Sequence, residues 1–293
     1  MELPYLQYFG LKEEPFSTVP SPRTLFLTSM HSTALEKTAY VVGAGKGMAL
    51  VYGDPGMGKS SLARLLHQKF LDSGFVSVLL TNPNYPTPNS LLRTIAQEFR
   101  TERTAKSFKD MLDILKAFLY QRAVVEKKTL VLIIDEAQTL RLPLIELLRQ
   151  LSNYESNVEK FIQFVLFAQN DLRSKLAHPR ALSFRSRVAM ISTLDALSAS
   201  ETEQMLSFRW NVASGGAGHP FTPEAVRLLF EHSRGVPREA CILADNSLLL
   251  AYVRKSNPID AEIVRHVVAD RRAGLSPVSH EPATKAKEAH GAK

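Results

Sequence analysis

GDPGMGKSS, residues 53–61, is the stretch on which the reading of this chain turns. Gly53, Gly58, Lys59 and Ser60 fit the pattern G-x-x-x-x-G-K-[ST], whose glycines let consecutive backbone N–H groups turn inward around a polyphosphate. The whole stretch, Gly53, Asp54, Pro55, Gly56, Met57, Gly58, Lys59, Ser60 and Ser61, is thus the expected cradle of a nucleotide's phosphates. Lys59 would reach the β and γ phosphates as a point charge, and the Ser60 hydroxyl would be a ligand of the Mg²⁺ that bridges them. On one side lies MALVYG (48–53), an apolar run suited to a buried strand; on the other, SSLARLLHQKFL (60–71) has apolar residues at 62, 65, 66 and 70, a helical spacing. Strand, glycine-rich turn and helix in that order make an anion site at a helix N-terminus.

TLVLIIDEAQ (129–138) carries the second chemical signal: a wholly apolar, β-branched run that ends in two adjacent carboxylates. It reads as a central parallel strand, at whose C-terminal end ligands gather. Asp135 would hold Mg²⁺, and Glu136 would orient and polarise an attacking water. FIQFVLFAQNDL (161–172) repeats the arrangement with the neutral pair Gln169 and Asn170 at its end. An amide there either touches the γ-phosphate or forms a turn. FVSVLL (75–80) and VAMIS (188–192) read as two further strands.

The 293 residues, 45% hydrophobic and 22% charged, suit a globular protein of two domains. The longest apolar runs, LVLII (130–134) and SLLLAYV (247–253), fall far short of a bilayer span of about 18 residues. MELPYLQYFG lacks a basic segment followed by an apolar one, so no secretion signal is expected and the location read from the sequence is cytoplasmic. Cys241 is the single cysteine, which excludes an intramolecular disulfide and any multi-cysteine zinc site. The eight histidines show no metal-ligand spacing and are read as structural or surface residues. A net charge of +7 points to an acidic partner, nucleic acid first and an anionic membrane surface second.

Residues 1–47 form an N-terminal segment expected to pack on the core, rich in rings and prolines such as Tyr5, Tyr8, Phe9, Phe16 and Phe26 that could cover a core edge or an adenine base. A helix is expected over 31–42, and helices fill 89–127 apart from a polar break at 101–107. Between 171 and 190, Arg173, Lys175, Arg180, Arg185 and Arg187 face only Asp171. This patch could be a solvated face, a nucleic-acid contact or the source of an arginine finger. From residue 198 onward the pattern is helical, with Ser200 and Glu203 spaced as a capping box. The organisation expected is an α/β nucleotide-binding domain over 48–195, a small helical domain over 196–272 and a disordered basic tail over 273–293.

GDPGMGKSS, LVLIIDEAQ, the strand with Gln169, SFRSRV and SRGVPREACILADNSLLLAY together resemble the AAA+ ATPases of the ExeA-type general-secretion group, from about residue 5 to about residue 270. The resemblance implies a five-stranded parallel P-loop sheet with flanking helices and a helical lid. It also implies ATP bound at the seam, and a ring or filament in which one subunit completes its neighbour's site. By position, Gln169 would be the first sensor and Arg238 the second, reaching from the lid; Arg187, with Arg185 as its competitor, would be the finger acting in trans. Where that group usually has Gly-Gln-Pro-Glu, this chain has Ala168-Gln169-Asn170-Asp171, which leaves Gln169 and Asn170 both open as the sensing amide.

Members that act in secretion generally continue into a membrane span. The core is also similar to transposon-encoded target-selection ATPases, the TnsC and IstB-like group, which bind DNA as oligomers and work with a transposase. The expectation is a homo-oligomeric Mg-ATP hydrolase that regulates transposition or a similar transaction on duplex DNA, with Arg103, Lys106 and Lys109 as candidate DNA contacts. The alternative is an energy-coupling ATPase for secretion, pilus or envelope assembly.

Overall fold

The computed structural model describes residues 3–156, 159–216 and 218–275. In chain order these form α1 (Pro4–Phe9), α2 (Ser29–Gly43), β1 (Met48–Gly53), α3 (Lys59–Asp72), β2 (Val76–Leu80), α4 (Pro88–Glu98), α5 (Phe108–Tyr120) and β3 (Leu130–Ile134). There follow α6 (Leu142–Leu151), β4 (Gln163–Ala168), α7 (Asp171–Ala177), α8 (Leu182–Arg185), β5 (Val188–Leu194), α9 (Ala199–Ser214), α10 (Pro223–Ser233), α11 (Pro237–Arg254) and α12 (Ala261–Leu275).

Among the described residues the strands make one five-stranded parallel sheet in the order β2-β3-β4-β1-β5. The unbroken apolar runs of β1, β3 and β4 follow from that order. These strands are internal and covered on both faces, and every one of their residues is buried. Edge strand β5 alternates between partly covered and exposed residues instead. Strand pleat sorts the side chains by parity. Leu50, Leu132, Phe164 and Leu166 meet Leu92 of α4, Leu115 of α5 and Leu148 of α6 on one face. Val51, Val131, Ile133, Val165 and Phe167 meet Ala34 and Leu35 of α2 and Leu62 and Leu66 of α3 on the other.

A separate core joins α9 to α12 through Leu206, Trp210, Leu229, Leu243, Leu248 and Val264. Tyr5, Leu11 and Phe16 belong to this cluster, so the first part of residues 1–47, expected on the ATPase core, packs on the helical part instead. The Tyr5 hydroxyl donates to the Asp245 carboxylate on α11, and the Lys12 N–H donates to the Ala213 carbonyl at 2.9 Å. Later in that segment α2 packs on the sheet, against β1, β4 and β5, and Leu25 packs against the same core. The chain therefore starts on the lid and crosses to the α/β core through residues 17–28.

Two smaller expectations are also corrected. The capping box of α9 is Ser198 with Glu201, not Ser200 with Glu203: the Glu201 N–H donates to Ser198 Oγ at 3.2 Å, and the Ser198 N–H donates to Glu201 Oε2 at 2.9 Å. Tertiary contact selects the earlier pair, because the preceding Leu197 is buried and its N–H is held by the Gly235 carbonyl at 2.9 Å. Helix α12 runs to Leu275, past the expected start of the tail at 273; residues 276–293, for which disorder was expected, lie outside the described residues.

Candidate nucleotide site

Parallel pairing brings the C-terminal ends of β1, β3 and β4 side by side, with Tyr52 opposite Ala168 and Ile134 opposite Leu166. The loop of residues 55–58, Glu136 after β3 and Gln169 after β4 consequently converge on one cleft of about 260 Å³. Its lining includes residues 55–61, Glu136, Gln169 and Arg238. Gly56 and Gly58 take φ of +85° and +83°, a left-handed conformation that glycine adopts without strain. Gly58 is the N-cap of α3, so the first free N–H groups of that helix open on the loop.

Lys59 is only 4% exposed, and its ammonium donates to the Gly53 and Asp54 carbonyls at 2.8 and 2.9 Å. Burial pulls its pKa down, opposed by the nearby carboxylates of Glu136, Asp135 and Asp54. Asp135 is likewise 4% exposed; burial pushes its carboxyl up, while hydrogen bonds from Ser60 and from the Glu136 N–H favour the charged form. A buried carboxylate beside a hydroxyl is a hard oxygen donor set that a divalent cation would relieve of its desolvation cost. The residues present therefore fit Mg²⁺, with Ser60 and Asp135 as the groups that would hold it.

Glu136 adopts φ +56°, a left-handed conformation that costs a residue with a side chain roughly 1–2 kcal/mol. Its carboxylate accepts from the Gln138 amide and, at 3.4 Å, from the Gln169 amide. Gln138 also accepts the Gln169 N–H at 3.1 Å, so it joins the ends of β3 and β4. The two open amides part company here. Gln169 faces Glu136 and the cleft, whereas Asn170 donates to the Asp54 carboxylate at 2.8 Å and accepts from Arg173 at 3.0 Å.

The lid meets the phosphate loop directly. The Arg238 N–H donates to the Gly56 carbonyl at 3.3 Å, and a Cβ on Gly56 would lie 2.9 Å from both Arg238 Cβ and Val236 Cγ1. Apolar residues also line the cleft. Val19, Pro20, Leu25 and Phe26 line it from the crossing strap, and Leu197, Met205 and Cys241 from the lid. Arg209 of α9 fastens the strap by donating to the Ser17 carbonyl at 2.8 Å. Burial pushes the Cys241 thiol up, which suits a packing role.

Three of the five basic residues between 171 and 190 make side-chain contacts within the chain, though none of the five is buried. Arg173 lies 4.2 Å over the Tyr52 ring, and Lys175 donates to the Gln138 and Leu140 carbonyls. Arg187 donates to Asn153 Oδ1 at 2.9 Å and to the Ser183 carbonyl at 2.8 Å, away from the chain's own phosphate loop. Arg185 is exposed. Arg103, Lys106 and Lys109 are exposed too. Arg103 sits in a groove with Arg100, Arg122, Glu102, Asp113 and Glu126, where charges of both signs are present. Sequence reasoning missed His31, Gln138 and Arg209. The adjacency of Gln138 to the acid pair was the one signal that could have found any of them.

No helix among the described residues is long and apolar enough to cross a membrane. Residues 42–176 match the family described as AAA domain. The chain is 33% identical over 257 residues, 87% of its length, to general secretion pathway protein A of Aeromonas hydrophila, and it spans about half of that relative, 46%. It superposes on the Aeropyrum pernix ORC2 protein, in its ADPNP-ADP complexes, with a TM-score of 0.64 at 20% identity, covering 89% of this chain and 73% of that one. For the Aeropyrum pernix ORC1 protein in complex with DNA the TM-score is 0.65 at 17% identity, covering 92% and 71%. At such identities the two superpositions speak for the fold alone, a parallel sheet followed by helices, while residues 42–176, which hold the phosphate loop and the acid pair, are similar to the AAA domain family.

Proposed function

We propose that the chain binds Mg-ATP in this cleft and hydrolyses it as a homo-oligomer whose neighbouring subunit supplies an arginine. The observation that carries the reading is the convergence of Lys59, Ser60, Glu136, Gln169 and Arg238 from four separate segments on one cavity. Lys59 binds the outer phosphates in place of the loop carbonyls it now contacts. The magnesium ion, when bound by Ser60 and Asp135, neutralises phosphate charge. Glu136, once released from the Gln138 and Gln169 amides, accepts the proton of the attacking water. Gln169 stays within reach of both Glu136 and the outer phosphate position, the role of a first sensor, and Arg238 adds positive charge from the lid. The apolar part of the lining takes the base.

For the arginine in trans, Arg185 is the stronger candidate, since Arg187 is held by Asn153 and Ser183 of its own subunit. An arginine finger is worth about 10³–10⁵ in rate. Replacing Arg185 by Ala should therefore nearly abolish turnover by the oligomer while isolated subunits still bind ATP. Normal hydrolysis by Arg185→Ala together with loss in Arg187→Ala would return the role to Arg187.

The process we propose is regulation of transposition or a similar DNA transaction, with ATP assembling subunits on duplex DNA beside a transposase or another protein partner. The net charge of +7 and the exposed Arg103, Lys106 and Lys109 support it, as does the likeness in fold to a protein solved with DNA. Contacts to phosphates would make binding salt-sensitive and weakly sequence-specific. Fluorescence anisotropy with duplex DNA and a non-hydrolysable ATP analogue tests it: affinity at low salt that falls steeply with added salt is expected, and none at low salt ends the reading. The identity to general secretion pathway protein A favours a second reading, energy coupling for secretion or envelope assembly. That reading predicts stimulation of hydrolysis by an envelope partner and not by duplex DNA.

A further inference from the structure

We propose that His31 is a positioning residue for ATP binding, its imidazole aiming the phosphate loop from outside; the inference rests on the nucleotide site proposed above. His31 stands in the first turn of α2, is 3% exposed and lies against the cleft. Its Nε2 is 3.3 Å from the Met57 carbonyl oxygen, and its Nδ1 is 2.7 Å from Thr28 Oγ1 and 3.4 Å from the Thr28 nitrogen. A carbonyl can only accept, so the proton must sit on Nε2. Nδ1 is then the acceptor for Thr28, and the tautomer is set by partners on both sides of the ring.

The consequence for the loop comes from peptide geometry. The bond between Met57 and Gly58 is trans, so its C=O and the following N–H point in opposite directions. Holding the Met57 carbonyl outward, toward α2, turns the Gly58 N–H toward the inside of the loop, where a phosphate oxygen would accept it. A left-handed Gly58 has wide conformational freedom, and nothing in its own side chain limits that peptide's rotation. The constraint comes from a residue 26 positions earlier in the chain. Glu201, on the lid helix α9, is the charged group near the ring, and its field favours protonation while burial opposes it.

The test compares His31→Gln, which keeps an N–H donor, with His31→Ala, which removes it, using calorimetry with Mg-ATP, steady-state phosphate release and thermal unfolding. Loss of one positioning hydrogen bond should weaken ATP affinity by about tenfold in His31→Ala, with kcat changed far less than KM, while His31→Gln stays within about threefold of the parent. Both variants lose the buried ring, so a merely structural role would make affinity follow the unfolding temperature in both; that outcome, or equal affinity in the two variants, overturns the proposal. If His31→Ala does not fold, the parent decides alone. Nitrogen-correlated NMR of its histidines should show His31 as the Nε2–H tautomer, and an Nδ1–H tautomer overturns the proposal. A parent chain that takes up no ATP would instead overturn the nucleotide site itself, a failure separable from either result.

Discussion

The polar and the apolar parts of the cleft's lining, its polar and apolar ends for short, are made in opposite ways. The polar end is nearly continuous in sequence, with residues 55–61 supplying most of its lining and Glu136 and Gln169 joining from strands bonded side by side. The apolar end is gathered from Val19, Pro20, Leu25 and Phe26 on the strap and from Leu197, Met205 and Cys241 on the lid. Backbone paired within the sheet holds the polar end, which therefore survives a displacement of the lid. The apolar end exists only while strap and lid are docked, through contacts such as Arg209 to Ser17 and Arg238 to Gly56. Grip on phosphates and grip on a base are thereby partly separable, since the lid touches the polar end through Arg238 at Gly56 and supplies much of the apolar lining.

The sharpest way to test that separation is at the catalytic carboxylate. Glu136→Gln should lower phosphate release by about 10²–10⁴-fold with nucleotide binding intact in calorimetry; a matching loss of binding would mean that Glu136 holds the site together instead. Lys59→Ala should weaken ATP and tripolyphosphate alike, by about 10- to 100-fold, since a charge-assisted contact is lost. Met205→Ala should reduce ATP affinity by about tenfold through lost apolar contact and leave tripolyphosphate affinity unchanged. If both ligands weaken together, the two ends are not independent.

Acid should act on both regions. Burial lowers the pKa of His31 and His67 in the α/β part and of His219 near the lid. Below the ordinary value of about 6.5 the unfolded chain takes up protons that the folded one refuses. The stability these residues confer is present above that pH and is lost as pH falls through it toward the lower folded values. Urea midpoints should drop between pH 7.5 and 5.5, and His67→Phe should shrink the drop. The smallest effect belongs to the lid's edge: Tyr5→Phe removes the bond to Asp245 and should cost about 1 kcal/mol in urea unfolding without altering tripolyphosphate binding.

Much of the fold was legible because its signals are local. The apolar runs ending at Gly53, Ile134 and Ala168 are strands buried on both faces, and burial on both faces is what makes a run continuous. Residues 5–16 were misread because rings and prolines say that a segment is covered without saying by what, and the lid covers them. The capping box of α9 was placed two residues late because Ser198-Glu201 and Ser200-Glu203 carry the same spacing, and only the burial of Leu197 and its bond to Gly235 chooses between them. Arg185 and Arg187 are equivalent in sequence; Asn153, from the far side of β4, tells them apart.

By itself, the amino-acid sequence determined the phosphate loop, the acid pair and the strands that carry them, since each depends on neighbours within a few positions and on backbone conformations that glycine permits or β-branched residues favour. Tertiary structure alone decided where the apolar end lies, which amide faces Glu136, which arginine is held by its own subunit and that His31 reaches the loop. Those depend on contacts between residues tens to hundreds of positions apart, and no spacing along the chain encodes which distant surface a side chain will meet.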